Sequence, residues 1–296
     1  MKMDYLPGCT LKTKASNLDM STISAMAALD VELEELPRWN CCGTVFSFAD
    51  DDLMHQIAPV RNLVRTQEIG GDKLVTVCSF CYNTMKRANL LMKDAPDKLE
   101  TINTFMDEEQ DYEGNVQVVH LLEVLRDDVG FDKIAEKVQM PLKNLKVAAY
   151  YGCTLHRPTE AAIEQPNKPT VFLDLLGAIG AEPVEFPDMT TCCGSYQVVA
   201  NPHIAVNRTR EIITSARDKG AEVIAVSCPL CESNLGEKQL QLHHDEGFEM
   251  VPIIYFTQLL ALALGAKPHL HQSVVRNDGL LKLLESKGLL PAPATA

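Results

Sequence analysis

The sequence predicts an α/β protein of two duplicated domains, each a mostly parallel sheet flanked by helices, the pair related by pseudo-twofold symmetry. Three observations predict it. First, four landmarks occur twice in the same order. DYLPGCTLK around Cys9 matches AAYYGCTLH around Cys153, and NCCGTVFSF (40–48) matches TCCGSYQVV (191–199). LVTVCSFCYNTM (74–85) then matches VIAVSCPLCESNL (223–235), and VVHLLEVL (118–125) echoes IIYFTQLLAL (253–262). Preserved order means an internal duplication, with domains at 1–143 and 144–296. Second, short β-prone runs alternate with longer helical ones, the pattern of a parallel sheet with crossover helices. Third, 296 residues with 46% apolar and 23% charged content suffice for two domains with real cores.

In the first half, MDYLP, VELEEL and KLVTV read as strands. STISAMAALD and LMHQIAPVRNLVRTQEIG read as helices, with Pro59 marking a kink or a late start in the second. Residues 94–115 are acidic and turn-rich, a helix followed by a loop. In the second half LKVAAYY, AEPVEF and AEVIAVS read as strands. TVFLDLLGAIG and HIAVNRTREIITSARDKG read as helices, capped by Gly180 and Gly220. The tail PAPATA is expected to fray. Cys9 and Cys153 follow the first strand of each half, and Cys78 and Cys228 a later one. In open α/β sheets that rim is where ligands bind.

A formal charge of -13, with 27 basic residues in no dense block, argues against a nucleic-acid partner. MKMDYLPGCT lacks the apolar stretch of a signal peptide, and YFTQLLALALGA (255–266) is too short to span a bilayer. The expectation is a soluble, cytoplasmic chain without a membrane span. In a reducing compartment ten cysteines point to metal ligands or catalytic thiols rather than structural disulfides.

Their spacing narrows the chemistry. Each half reads C, a gap, CC, a gap, CxxC, with gaps of 31 and 35 residues in the first half and 38 and 34 in the second. A disulfide between adjacent cysteines is strained, because neighbouring α-carbons lie only about 3.8 Å apart. A thioredoxin-type couple uses CxxC alone and leaves three cysteines per half unexplained. A structural zinc, like a cubane iron–sulfur cluster, takes four ligands and leaves one over. A fifth thiolate, with two of the five adjacent, fits a multi-iron centre whose neighbouring ligands reach different irons. Zinc in one half and metal-free redox cysteines are the alternatives.

The doubled pattern C-x31-CCG-x34-C-x2-C and C-x38-CCG-x33-C-x2-C resembles the tandem cysteine-rich CCG domain of the B-type subunit of heterodisulfide reductase, over essentially the whole chain. The resemblance implies two noncubane 4Fe-4S clusters. Cys9, Cys41, Cys42, Cys78 and Cys81 would hold one, and Cys153, Cys192, Cys193, Cys228 and Cys231 the other. It implies an oxidoreductase subunit that splits a mixed disulfide into two thiols, one electron reaching each sulfur. The implied partners are a ferredoxin-like iron–sulfur subunit of the C type, a flavin-containing one of the A type and a small-molecule disulfide. Both copies read CCG, which allows a bacterial-type homologue acting on a disulfide other than that of coenzymes M and B. The alternatives are a non-catalytic electron relay and, from relatives of this group, an accessory subunit of a glycolate- or lactate-type dehydrogenase.

Few other residues stand out. Lys12, His156 and Arg157 follow the first cysteine of each half and are candidates to bind anionic groups of a substrate; His156 is also a candidate proton donor. Lys86 and Arg87 read as surface charge, and His120 as a core histidine. Gly43 and Gly194 follow the paired cysteines, where positive φ lets the chain bend around a cluster, and Gly8 and Gly152 invite the same account. Pro229 removes an amide donor from the second CxxC, so the two centres should differ in potential.

Overall fold

A computed structural model describes residues 1–44, 53–270 and 278–290. The tail 291–296, expected to fray, lies outside the described residues, as does the end of the first CCG segment, 45–48. The elements in chain order are β1 (Lys2–Tyr5), α1 (Ser16–Ala28), β2 (Glu32–Glu35), α2 (Ile57–Glu68), β3 (Lys73–Thr76), α3 (Ser79–Asp94), α4 (Pro96–Phe105) and β4 (Gln117–His120). A short helix α5 (Leu121–Glu123) continues as a π-type turn to Val129 and is followed by α6 (Phe131–Lys137). The second half runs β5 (Lys146–Tyr150), α7 (Val171–Ala178), β6 (Glu182–Val184), α8 (Pro202–Asp218), β7 (Val223–Val226), α9 (Pro229–Glu246), β8 (Ile253–Tyr255), α10 (Phe256–Ala263) and α11 (Asp278–Ser286).

Both sheets are fully parallel and share one topology, β2-β1-β3-β4 and β6-β5-β7-β8. The duplication in sequence is therefore a duplication in fold. The central strands are buried, as a sheet covered on both faces requires; all four residues of β7 and the last three of β3 are inside. The strand order reverses beside β1 and β5, so the loops after β1, β3, β5 and β7 open on the rim where ligands collect.

Several boundaries differ from expectation. α1 begins at Ser16, five residues before the expected start at Ser21, because its buried face carries Asn17, Asp19, Ser21 and Thr22 and shows no apolar stripe. Pro59 neither kinks nor delays a helix. A 3-10 turn (Leu53–Gln56) leads into α2, and Pro59 lies in its first turn, where a missing N–H costs nothing. Residues 94–115 form α4 and a loop, as expected. Gly180 and Gly220 end their helices with φ of +80° and +83°.

The halves share one continuous core. It runs from Leu18 and Met26 of α1 to Phe256, Leu259 and Leu260 of α10, all of them fully buried. The Ser21 and Thr257 hydroxyls meet at 2.7 Å inside this seam. The exposed edges carry ordinary surface pairs such as Lys2–Glu34 and Arg208–Glu211, which contribute little. Among the described residues no helix is long and apolar enough to cross a membrane.

Candidate functional site

Every cysteine lies at the rim where strands give way to loops and helix N-termini. Cys9 follows β1 and Cys153 follows β5. Cys78 and Cys228 occupy the N-cap positions of α3 and α9. One turn further, Cys81 and Cys231 face back toward them. Tyr82 N–H and Glu232 N–H bond the Cys78 and Cys228 carbonyls at 2.9 and 3.0 Å, so each CxxC is wound onto the start of a long helix. In α3 the amides of Phe80 and Cys81 act on the Cys78 sulfur, and a helix N-terminus favours a thiolate.

All ten cysteines are free thiols, and they fall into two groups by half. In the first, Cys41 Sγ lies 3.6 Å from Cys9 Sγ, Cys42 interacts with Cys41 and Cys81, and Cys81 with Cys78. In the second, Cys192 interacts with Cys153 and Cys193, Cys193 with Cys231, and Cys231 with Cys228. The sulfurs are thus linked pairwise, and among the described residues no three His, Cys, Asp or Glu side chains are placed to hold a metal ion. The groups approach each other at the seam, where Cys78 and Cys228 interact and the Ser79 and Ser227 hydroxyls lie 2.6 Å apart.

Acidity alternates through these contacts. Hydrogen bonds from Cys228 and Cys81, with the amides of Phe80 and Cys81, hold Cys78 well below an ordinary thiol. Bonds from Cys153 and Cys193 do the same for Cys192, which also accepts from Gly194 N–H at 3.4 Å. Their partners move the other way: Cys42 and Cys78 raise Cys81, and Cys192 raises Cys153. A soft metal centre would hold its sulfur ligands as thiolates.

The backbone is shaped around the sulfurs. Gly8 has φ +81°, and a Cβ there would lie 2.8 Å from Cys81 Sγ; at Gly152, with φ +68°, it would lie 3.3 Å from Cys231 Sγ. Each CCG loop is tied to the helix that carries CxxC: Thr84 meets Thr44 at 3.1 Å, and Asn234 donates to the Cys193 carbonyl at 3.1 Å. Asn83 of α3 crosses the seam and donates to the carbonyls of Thr154 and Arg157 at 2.7 and 2.8 Å. Phe80 packs on Tyr196 across the same seam, centroids 5.4 Å apart. Nothing in the spacing of Asn83 or Asn234 marks them in the sequence.

The candidate cations are placed differently from one another. Lys12 Nζ is held by Asp19 at 2.9 Å and Glu35 at 2.7 Å. His156 is buried, stacked on Tyr151, with Nε2 3.5 Å from Glu164 and Nδ1 without a partner. Burial alone would raise Glu164, but hydrogen bonds from His156 and the amides of Thr170 and Val171 hold its carboxyl below the usual range. Arg157 is exposed. Lys86 is partly buried and donates to the Val118 carbonyl at 3.2 Å, so it is less purely a surface charge than expected. His120 is a core histidine, Nε2 2.9 Å from the Val77 carbonyl, and burial pushes it down to about 4.

Comparison with known proteins places this geometry. The cysteine-rich domain family CCG matches residues 3–86 and again 147–236. The B-type subunit of the ferredoxin/F420H2-dependent CoB-CoM heterodisulfide reductase of Methanosarcina acetivorans is 30% identical over 97% of this chain and 99% of its own. The membrane anchor subunit of 8-methylmenaquinol:fumarate reductase from Wolinella succinogenes is 33% identical over 88% of this chain and 91% of its own. A crystal structure of a hypothetical protein from Helicobacter pylori shares the fold with a TM-score of 0.69 at 13% identity; the match covers 90% of this chain and 49% of that one. With both sheets of one topology, both cysteine sets at equivalent rims and relatives matched end to end, the chain belongs to the cysteine-rich CCG domain family, among proteins like the B-type subunit of heterodisulfide reductase.

Proposed function

We propose that the protein is the disulfide-reducing subunit of a heterodisulfide reductase-like complex in the cytoplasm. The observation that carries this is the gathering of two five-cysteine sets at equivalent rims of one seam, where Ser79 beside Cys78 meets Ser227 beside Cys228 at 2.6 Å. The donors fit an iron–sulfur group: all are sulfur, none is tied up in a disulfide, and glycine leaves room beside Cys81 and Cys231. Cys9, Cys41, Cys42, Cys78 and Cys81 would hold one noncubane 4Fe-4S cluster and Cys153, Cys192, Cys193, Cys228 and Cys231 the other. When bound, the pair supplies one-electron chemistry on both sides of a substrate disulfide. Two electrons and two protons convert one disulfide into two thiols.

The chain's own residues would do the rest. Glu164 orients the buried His156 behind Cys153, where it would hold a proton for the departing thiolate. Among the described residues Arg157 has no ion-pair partner, whereas Lys12 is neutralised by two carboxylates, so Arg157 is the better placed of the two to meet an anionic substrate. Ferredoxin-like and flavin-containing subunits of the same complex would deliver the electrons.

Anaerobic purification with iron and sulfide analysis tests the proposal. About eight irons per chain are expected, with thiol release from a disulfide under an artificial one-electron donor. Cys41→Ser and Cys192→Ser should each damage one centre and spare the other. A metal-free or zinc-loaded chain would overturn the assignment. The resemblance to a membrane anchor subunit of another reductase favours a second reading, an electron relay. Centres that cycle between redox states but never release thiols would decide for the relay.

A further inference from the structure

In each half the last strand ends in a ring, His120 on β4 and Tyr255 on β8. The parallel register sets Thr76 opposite His120 and Val226 opposite Tyr255, so each ring lies beside the strand that runs into CxxC, two residues before Cys78 or Cys228. Both side chains are fully buried. Their polar atoms have different fates. His120 is satisfied at both nitrogens: Nε2 donates to the Val77 carbonyl at 2.9 Å, and Nδ1 accepts from Leu122 N–H at 3.2 Å. Tyr255 ends in a buried hydroxyl with no hydrogen-bond partner. Leaving such a group unmatched is costly and uncommon in a native core.

The surroundings of that hydroxyl say what it lacks. The negative groups that act on it most strongly are Glu232, Cys228, Cys78 and Cys231, three of them sulfurs drawn from both halves. A phenol brings one O–H to donate, and among the described residues no acceptor meets it. The backbone supports the asymmetry. Pro229 opens α9 without an N–H where Ser79 opens α3 with one. The second half thus loses an amide donor beside its first CxxC cysteine and gains a phenol.

We propose that the Tyr255 hydroxyl donates a hydrogen bond to the sulfur of the C-terminal centre and sets its reduction potential apart from that of the N-terminal centre. The inference rests on the function proposed above, in that both centres must be iron–sulfur groups. A donor to cluster sulfur stabilises the reduced, more negative state and raises the potential.

The test is Tyr255→Phe in the full chain, loaded anaerobically, with both centres followed by electron paramagnetic resonance during a potentiometric titration. One centre should become about tenfold harder to reduce, which is about 59 mV for a one-electron couple, while the other stays in place. Tyr255→His, which copies the ring of the first half, should give the same displacement, and it is read instead if the phenylalanine variant loses its metal. Loaded variants with both potentials unchanged would overturn the inference and leave the proposed function standing. A wild-type chain that takes up no iron and sulfide would overturn both.

Discussion

At the scale of single residues, two glycines separate conformational cost from site geometry. Gly8 and Gly70 have nearly the same left-handed φ, +81° and +77°, yet a Cβ at Gly70 meets nothing within 4 Å while one at Gly8 would press on Cys81 Sγ. Gly70→Ala should cost about 1–2 kcal/mol in urea unfolding, the price of the backbone alone. Gly8→Ala should cost more by at least about 1 kcal/mol and should also change the alkylation rate of Cys81, followed by mass spectrometry. Equal costs and equal Cys81 reactivity would show that Gly8 serves only a turn. All ten cysteines are legible in the sequence because their spacing repeats. The carboxylates that claim Lys12 and His156 are not. Asp19, Glu35 and Glu164 lie seven, twenty-three and eight residues away from them, and no local pattern links them.

At the scale of elements, α3 is the piece that joins the two sites, because it carries Cys78 and Cys81 and clamps the loop after Cys153 through Asn83. Asn83→Ala would strand the buried Thr154 carbonyl and the half-buried Arg157 carbonyl and should cost about 1–3 kcal/mol, read as a lower urea midpoint. It should also make Cys153 alkylate faster relative to Cys9 in the metal-free chain, since only the loop after β5 loses its support. Uniform acceleration at both cysteines would assign Asn83 to general stability. Six of the eight strands are readable as β-prone runs. The sequence reading assigns neither β4 nor β8, although their likeness is plain, because each passes straight into a helix and the apolar run LLEVL or FTQLLAL blurs period 2 into period 3.6. α3 and α9 are hidden for another reason. They open on cysteines and carry buried polar residues such as Asn83, Asn89, Asn234 and Gln239, so no clean apolar stripe announces them.

At the scale of the whole molecule, the duplicated halves are folding partners rather than beads on a string. All eight residues of α10 are buried, and the element they face most closely is α1 of the other half. Residues 144–296 expressed alone should therefore self-associate or precipitate, since an apolar helix would be left in water. Sedimentation velocity would check this, and a monomeric, cooperatively unfolding half would show that the seam is dispensable. The repeat makes the two-domain architecture legible at once, whereas the seam is legible only in three dimensions, because it joins residues such as Ser21 and Thr257 or Asn83 and Arg157 far apart in the chain. The pairing of Ser79 with Ser227 has a lasting implication. In a dimer of identical chains, every contact between unlike positions must occur twice with the same residues. Here the residue after one cysteine meets the residue before the other, while the two counterpart positions hold Val77 and Pro229. Fusing the copies freed evolution to edit one side without touching the other, and a junction that once ran equally both ways can acquire a direction.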